Sequence, residues 1–384
     1  MTEKGTAMEM QTATPSLAEA LDRLGRRAAV RFPVLSLYLN AQPDNRGKDN
    51  YAAFLRKDLR GRVKDFELRS AERESFEQDV ARIERYVSDE VRASANGIAL
   101  FACSAADFFE ALQLDAPIER HRLTVGDRPH LYPLARVVDR YPRHAVVLAN
   151  TNHARIYVFG RGRTIDREEL ASEKVSRTDV GGWSQLRYQR HVEDHYLHHA
   201  KEVVEALHRI VAEDRAEYVF LAGDDVIVPL LQDELPKDLE RKVVSVLRLD
   251  IRSREDEVRS AAAEALAEHV AARGRESVER LRGQLRAGGL AVAGVREVLE
   301  ALEKGRADEV WITTALAETV PTESRGSIPL GDEIVQRALA TSSRVRFAEN
   351  PDLLADLGGI VASLRYRPVV SSRDNSPVER KVEA

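Results

Sequence analysis

Apolar residues recur along this chain with two periods. Val34–Leu39 alternates like a strand, and Gly97–Cys103, Ala145–Ala149, Ala154–Phe159 and Tyr218–Gly223 are short apolar runs of strand length. Between them, apolar residues return every three or four positions. A short helix is expected over Leu17–Arg27, a highly charged helical region from Tyr51 to about Arg92 with a break near Ser70, and a helical Val226–Leu235. The longest apolar stripe starts at about Ser184 and runs through Val192, Tyr196, Ala200, Val203, Leu207 and Ile210. A very polar helix, Arg254–Gly288, follows. Gly289–Gly305 then reads as a helix with Val295, Val298, Leu299 and Leu302 inward and Gly305 as its cap, leading into a strand at Ala307–Ile312. Gly331–Ala340, Arg344–Phe347 and Leu357–Tyr366 continue in kind.

Strands and helices alternating in this way predict an α/β protein. A length of 384 residues favours two or three domains over one. The pattern divides best into three mixed α/β domains in series, at 16–138, 139–258 and 259–367, with 1–15 and 368–384 expected to be disordered.

Composition narrows the class. Hydrophobic content of 43% with 32% charged residues leaves enough apolar surface for several cores. No apolar run approaches the roughly 18 residues that a membrane span needs, and the first fourteen residues lack an apolar signal core. With the single cysteine, Cys103, inside an apolar strand, this predicts a cytoplasmic protein with a buried thiol and no membrane partner. A net charge of −5 argues against indiscriminate coating of nucleic acid, though not against one local patch that faces RNA.

Such a patch lies just ahead of the long apolar stripe. Lys174, Arg177, Arg187 and Arg190 against Asp179 leave a local charge of +3, which favours an anionic partner such as RNA phosphate; a solvated surface loop would have the same composition. Within the patch, Gly181 and Gly182 free the backbone to approach another molecule closely. Further along, His191, His195 and His198 fall at i, i+4 and i+7, on one flank of the predicted helix, with His199 nearer the core. Two histidines one turn apart are a zinc-binding spacing, but no third ligand is evident, so they read as exposed or RNA-facing imidazoles and no metal site is expected. The Asp224–Asp225 pair, between a strand and a helix, reads as a helix cap rather than a cation site.

The words around the glycines carry a resemblance. Gly181-Gly182-Trp183-Ser184-Gln185-Leu186-Arg187-Tyr188, then Arg190, resembles the Gly-Gly-Gln segment of archaeal and eukaryotic class I peptide-chain release factors, and among them the divergent bacterial proteins of that type. Both glycines, the serine, the Leu-Arg pair, an aromatic and the later arginine are kept. Trp183 stands where the family has glutamine. The order strand, strand, glycine loop, long helix, then a strand ending Ala-Gly is also that of the family's middle domain. The third domain is similar to the family's third, which has the fold of ribosomal proteins that bind kinked RNA. The family's decoding stretch, Asn-Ile-Lys-Ser, has no counterpart in the first domain, which offers Asp44-Asn-Arg-Gly-Lys48 instead.

The resemblance implies a ribosome-associated protein whose glycine segment enters the peptidyl-transferase centre, in rescue or stress rather than stop-codon termination. Its partners would be ribosomal RNA, tRNA and a translational GTPase, with no cofactor. Gly181, Gly182, Trp183 and Gln185 would form the reacting end, and Lys174, Arg177, Ser184, Arg187, Arg190, His191 and His195 the RNA-facing set. Two activities stay open. The protein hydrolyses peptidyl-tRNA by positioning and polar stabilisation without a protein nucleophile. Alternatively, Trp183 is a stacking anchor and the protein is a non-catalytic hibernation or surveillance factor. An adaptor whose loop binds protein is a third class that nothing in the sequence requires.

Overall fold

Three β-sheets follow one another along the chain, and each packs apolar side chains on both of its faces. The structure, a computed structural model, describes residues 17–43, 51–114, 116–160, 163–171, 184–319 and 329–366; at 163–166 and 184–191 it describes the backbone alone. The expected disorder at 1–15 and 368–384 lies outside the described residues.

The first sheet has the order β3-β2-β1-β4, all antiparallel, from β1 (Val34–Asn40), β2 (Gly97–Cys103), β3 (Phe108–Leu114) and β4 (Arg122–Gly126). On one face lie α1 (Leu17–Gly25) and α4 (Tyr132–Arg140). The other carries α2 (Ala52–Phe54), the π-helical turn Leu55–Leu59 and α3 (Ala71–Asp89). Ser70 breaks the charged helical region as expected: its hydroxyl accepts from Arg73 N at 3.1 Å and caps α3. The alternation of Val34–Leu39 suggests a half-exposed strand, whereas all six residues are buried. The reason is that β1 is central and covered on both sides. Its polar members are spent on the chain after β4: Ser36 Oγ accepts from His130 N at 2.9 Å, and Tyr38 Oη donates to His130 O at 2.6 Å.

The second sheet, β7-β6-β5-β8-β9, combines β5 (His144–Ala149), β6 (His153–Gly160) and β7 (Arg163–Ala171) with β8 (Tyr218–Gly223) and β9 (Val243–Leu247). β5, β8 and β9 run parallel, and β6 and β7 are antiparallel. Along β5 the side chains alternate between two cores. Ala145, Val147 and Ala149 meet α5 (Ser184–Glu213) and α6 (Ile227–Glu234), with α7 (Lys237–Glu240) at the end of that layer; Val146 and Leu148 meet the first half of α8 (Glu255–Arg286). β9 has no clear signature in the sequence, because at this sheet edge only Leu247 is buried.

The third sheet is β10-β13-β11-β12, from β10 (Ala291–Ala293), β11 (Ala307–Thr313), β12 (Arg344–Ala348) and β13 (Ile360–Leu364). α9 (Val295–Glu303), the short α10 (Thr314–Ala317) and α11 (Leu330–Ala340) cover one face, and the second half of α8 the other. The helix expected across 289–305 thus begins only at Val295. Gly294, at φ +98°, turns the chain out of the strand. The division expected at 258/259 falls inside α8, whose Val258, Ala262 and Leu266 belong to the middle core and whose Val278 and Leu281 belong to the third.

The first and third sheets are clasped at α4. Asp332 of α11 accepts from Leu131 N at 2.6 Å and Tyr132 N at 3.1 Å, and lies 3.2 Å from His130 Nδ1. Arg346 of β12 reaches Asp139 of α4 at 2.9 Å.

One buried acid on α3, against the first sheet, is held at a cost. Burial pushes the Asp79 carboxyl up to about 6, even though Ser104 Oγ donates to it at 2.6 Å. The folded chain therefore holds a proton that the unfolded chain has released, and stability falls as pH rises from about 4 to about 6 and is level above that. Asp79→Asn keeps an acceptor for Ser104 without the buried charge. It is expected to raise stability at pH 7.5 by about 1 kcal/mol and to flatten the pH 4–6 slope, as read from urea melts.

Candidate nucleic-acid interface

The middle sheet explains how the basic glycine segment is mounted. α5 runs for 30 residues, about 45 Å at 1.5 Å per residue. Its second half is fixed to the sheet: Ala200, Val203, Leu207 and Ile210 are buried, as the apolar stripe predicts. Val192 and Tyr196, the stripe's first members, are only half-buried. His199 marks the change. It is buried and hydrogen-bonded to the His153 backbone at the start of β6, and burial lowers its pKa. The helix from Ser184 to His198, about four turns and about 22 Å, precedes that anchor.

One tie steadies the anchored half and another steadies the sheet beneath it. Arg209 on α5 holds Glu168 of β7 at 2.6 Å, and Arg155 on β6 donates to Ser253 O at 2.9 Å, fixing the approach to α8. At the same end of the sheet as His153, Gly223 closes β8 at φ +151°, where an added Cβ would collide with the carbonyl oxygen of Ala149 on neighbouring β5. Asp224 Oδ1 then accepts from Val226 N at 3.1 Å and Ile227 N at 2.8 Å, which is the capping role expected of it.

The candidate residues divide by position. Lys174, Arg177, Gly181, Gly182 and Trp183 lie outside the described residues. Ser184, Gln185, Arg187, Arg190 and His191 fall in the first turns of α5, where the backbone alone is described. No acidic residue stands in the first turn, so the partial positive charge of this helix end is not offset there. His195 is half-buried beside Tyr196, with Nε2 lacking a hydrogen-bond partner. His198 is exposed and lies 3.3 Å from Glu202. Among the described residues no group of three or more His, Cys, Asp or Glu side chains is placed to hold a metal ion. No helix among them is long and apolar enough to cross a membrane.

Residues 129–268, which take in α4, the middle sheet, the glycine segment and the first half of α8, match the family model "Bacterial archaeo-eukaryotic release factor family 10". Over that stretch, 140 of the 384 residues, the chain is similar to this family. The family-10 region is thus release-factor-like, as the words around Gly181 imply.

Several solved structures are similar at low identity. The archaeal translation termination factor aRF1 is 19% identical, over 91% of this chain and 97% of its own, with a TM-score of 0.26. Dom34 of S. cerevisiae, described as a translation termination-like factor involved in RNA quality control pathways and interacting with Hbs1, is 11% identical over 72% and 82%, with a TM-score of 0.44. Archaeal Pelota, from a ribosome-bound structure with ABCE1, is 13% identical over 92% and 94%, with a TM-score of 0.41. No curated protein matches the sequence significantly.

Gly223 offers a test of the mount that supports the family-10 segment. Gly223→Ala should destabilise the middle domain by about 3 kcal/mol or more, because β8 cannot leave its neighbour without displacing the β5 backbone. Denaturant unfolding followed by Trp and far-UV signals will read the loss.

Proposed function

We propose that this protein binds the ribosome and brings the Gly181-Gly182-Trp183 segment, at the head of α5, to the peptidyl-tRNA site in ribosome rescue or translation quality control, where it hydrolyses the peptidyl-tRNA ester. The family-10 match over the segment and its mount supports the translational setting. The observation that carries the reading is the length of α5: its buried apolar face runs from His199 onward, and some four turns of helix lie ahead of that stretch, with a glycine pair and four cations at and just ahead of its far end. A rod of that length lets a narrow basic tip enter a confined RNA channel while the body stays outside.

In this reading Gly181 and Gly182 admit the backbone where a side chain would clash. The Trp183 N–H and the Gln185 amide supply polar groups near the ester, and water is the nucleophile. Lys174, Arg177, Ser184, Arg187, Arg190, His191 and His195 face RNA. The middle domain is the release-factor-like one, and the third domain, similar to proteins that bind kinked RNA, is the surface for a translational GTPase. Ribosomal RNA and tRNA are the partners.

Trp183 supports a second reading. Its indole donates one hydrogen bond and accepts none, so it replaces the family's amide with a stacking surface. On that reading the protein occupies the ribosome without cutting, as a hibernation factor does.

Sedimentation through sucrose followed by a release assay on stalled ribosome complexes separates the two. Hydrolysis predicts freed peptide and a loss of about 100-fold in release rate for Gly182→Ala, with co-sedimentation retained. Occupancy predicts co-sedimentation with no release at any concentration. Absence from the ribosome pellet overturns both. Arg187→Ala and Arg190→Ala should each weaken ribosome binding and lower its log–log salt slope by about 0.7 to 0.9, the signature of one lost phosphate contact.

A further inference from the structure

α8 changes sign along its length. From Glu255 to Glu268 it carries five acids and one arginine; from His269 to Arg286 it carries five arginines and two glutamates. The helix dipole favours cations in the last turn only, and so does not explain arginines as far from the end as Arg273 and Arg280. Seven residues, nearly two turns, separate these two, which puts them on one flank of the helix about 10 Å apart.

That flank forms one wall of a cleft of about 320 Å³, where α8 passes the edge of the third sheet. The facing wall carries Arg344 and Arg346 of β12. These two are already paired. Arg346 holds Asp139 at 2.9 Å and Glu309 at 3.3 Å, and Arg344 holds Asp308 at 3.0 Å, which Arg365 shares at 3.8 Å. The carboxylates of the cleft are thereby engaged, and Arg273 and Arg280 stand outside the network. Both are exposed, and neither pairs with a carboxylate among the described residues. Glu276 lies one turn from each, the spacing of a helical ion pair, yet both arginines line the cleft instead, with Arg280 donating to Ser277 Oγ at 2.9 Å. A merely solvated helix face has no reason to set two unpaired cations opposite two more.

We propose that this cleft binds the sugar–phosphate backbone of RNA, as a contact surface separate from the Gly181 segment. Arg273 and Arg280 each take one phosphate, through the fork that fits a guanidinium to phosphate oxygens, while their carboxylates hold Arg344 and Arg346 in place on the opposite wall. Two cations spread over about 10 Å suit a chain of phosphates better than a single anion. The cleft reads charge and not bases. Its aromatic rings are closed off, Trp311 at 8% exposure with Nε1 donating to Glu309 at 3.2 Å and Tyr218 at 6%, so neither offers a face for stacking. An acidic peptide adding to the sheet edge is disfavoured, because β12 is engaged there: Phe347 N donates to Asp139 of α4 at 2.8 Å. The inference goes beyond the ribosomal reading, since it requires RNA alone and does not involve the Gly181 segment.

Fluorescence anisotropy of the full chain with a labelled single-stranded RNA of mixed sequence, over a salt series, tests this. Arg273→Ala and Arg280→Ala together should weaken binding about 10-fold or more and lower the log–log salt slope by about 1.4, the signature of two single-strand phosphate contacts. Both side chains are exposed and alanine is the strongest helix former, so the melting temperature should not fall. Arg273→Lys with Arg280→Lys, which keeps the charges, should restore the slope. The same loss should appear on top of Arg187→Ala with Arg190→Ala, so a failure of the cleft and a failure of the glycine-segment reading are told apart. Affinity and slope unmoved by the alanine pair, no RNA binding at low salt, or inorganic phosphate or a polyglutamate peptide bound as tightly as RNA would each overturn the proposal.

Discussion

The architecture of the middle domain turns on a mismatch of lengths. A six-residue strand such as β5 spans about 20 Å, and a helix crossing its face finds apolar contact over about the same distance. α5 is more than twice that long. Burial of Ala200, Val203, Leu207 and Ile210 supplies the hydrophobic stabilisation, whereas among the described side chains just before His199, His198 is exposed and Val192, His195 and Tyr196 are half-buried. A helix can outgrow its sheet in this way because each added residue in a formed helix needs only its own backbone bond, without a new nucleus. The overhang is therefore cheap to build, and being helical it is stiff.

A stiff arm is useful only if its base is held. The base is tied through α8, one continuous helix that contributes to cores against both the middle and the third sheets, so those two sheets share a covalent beam. Gly274 on that beam admits the Trp311 ring, which an added Cβ would meet at 3.2 Å. The third domain is in turn clasped to the first by the Asp332 carboxylate, which satisfies two backbone N–H groups at the start of α4. Gly331 beside it has the Tyr132 ring, of the first domain, 2.7 Å from where a Cβ would stand. A larger residue at 331 would therefore push apart the two elements that Asp332 joins.

Much of this was legible because burial was periodic. The runs at 97–103, 145–149 and 218–223 are strands as read, and the apolar stripe from Ala200 to Ile210 is the buried face of α5. What escaped had non-local causes. Burial of Val34–Leu39 on both faces depends on helices distant in the chain, and no alternation within six residues reports that. β9 lies at a sheet edge with only Leu247 buried, and β10 has three residues, too few for a period to emerge. α8 reads as polar because it meets two cores on different parts of its surface, so no single stripe runs its length. The α8 cleft draws on residues at 273 and 280, near 309 and near 345, with Asp139 beyond, so no motif could announce it. The glycine segment is the reverse case. Its words pointed to the family, which periodicity alone could not have done.

Charge gives the length of α5 a further meaning. A chain of net charge −5 is repelled as a whole by RNA, yet Lys174, Arg177, Arg187 and Arg190 make a local basic stretch around Ser184. At physiological ionic strength the screening length is about 8 Å, so about 22 Å of overhang separates the basic end from the His199 anchor by more than two such lengths. Charges around the His199 anchor therefore contribute little to the potential at the first turn of α5. Had the helix ended flush with the sheet, the same four cations would have sat within one screening length of the acidic surface, and their pull on phosphate would have been partly cancelled. The overhang thus lets an acidic protein present a basic point, and it does so by geometry rather than by changing the composition of the chain.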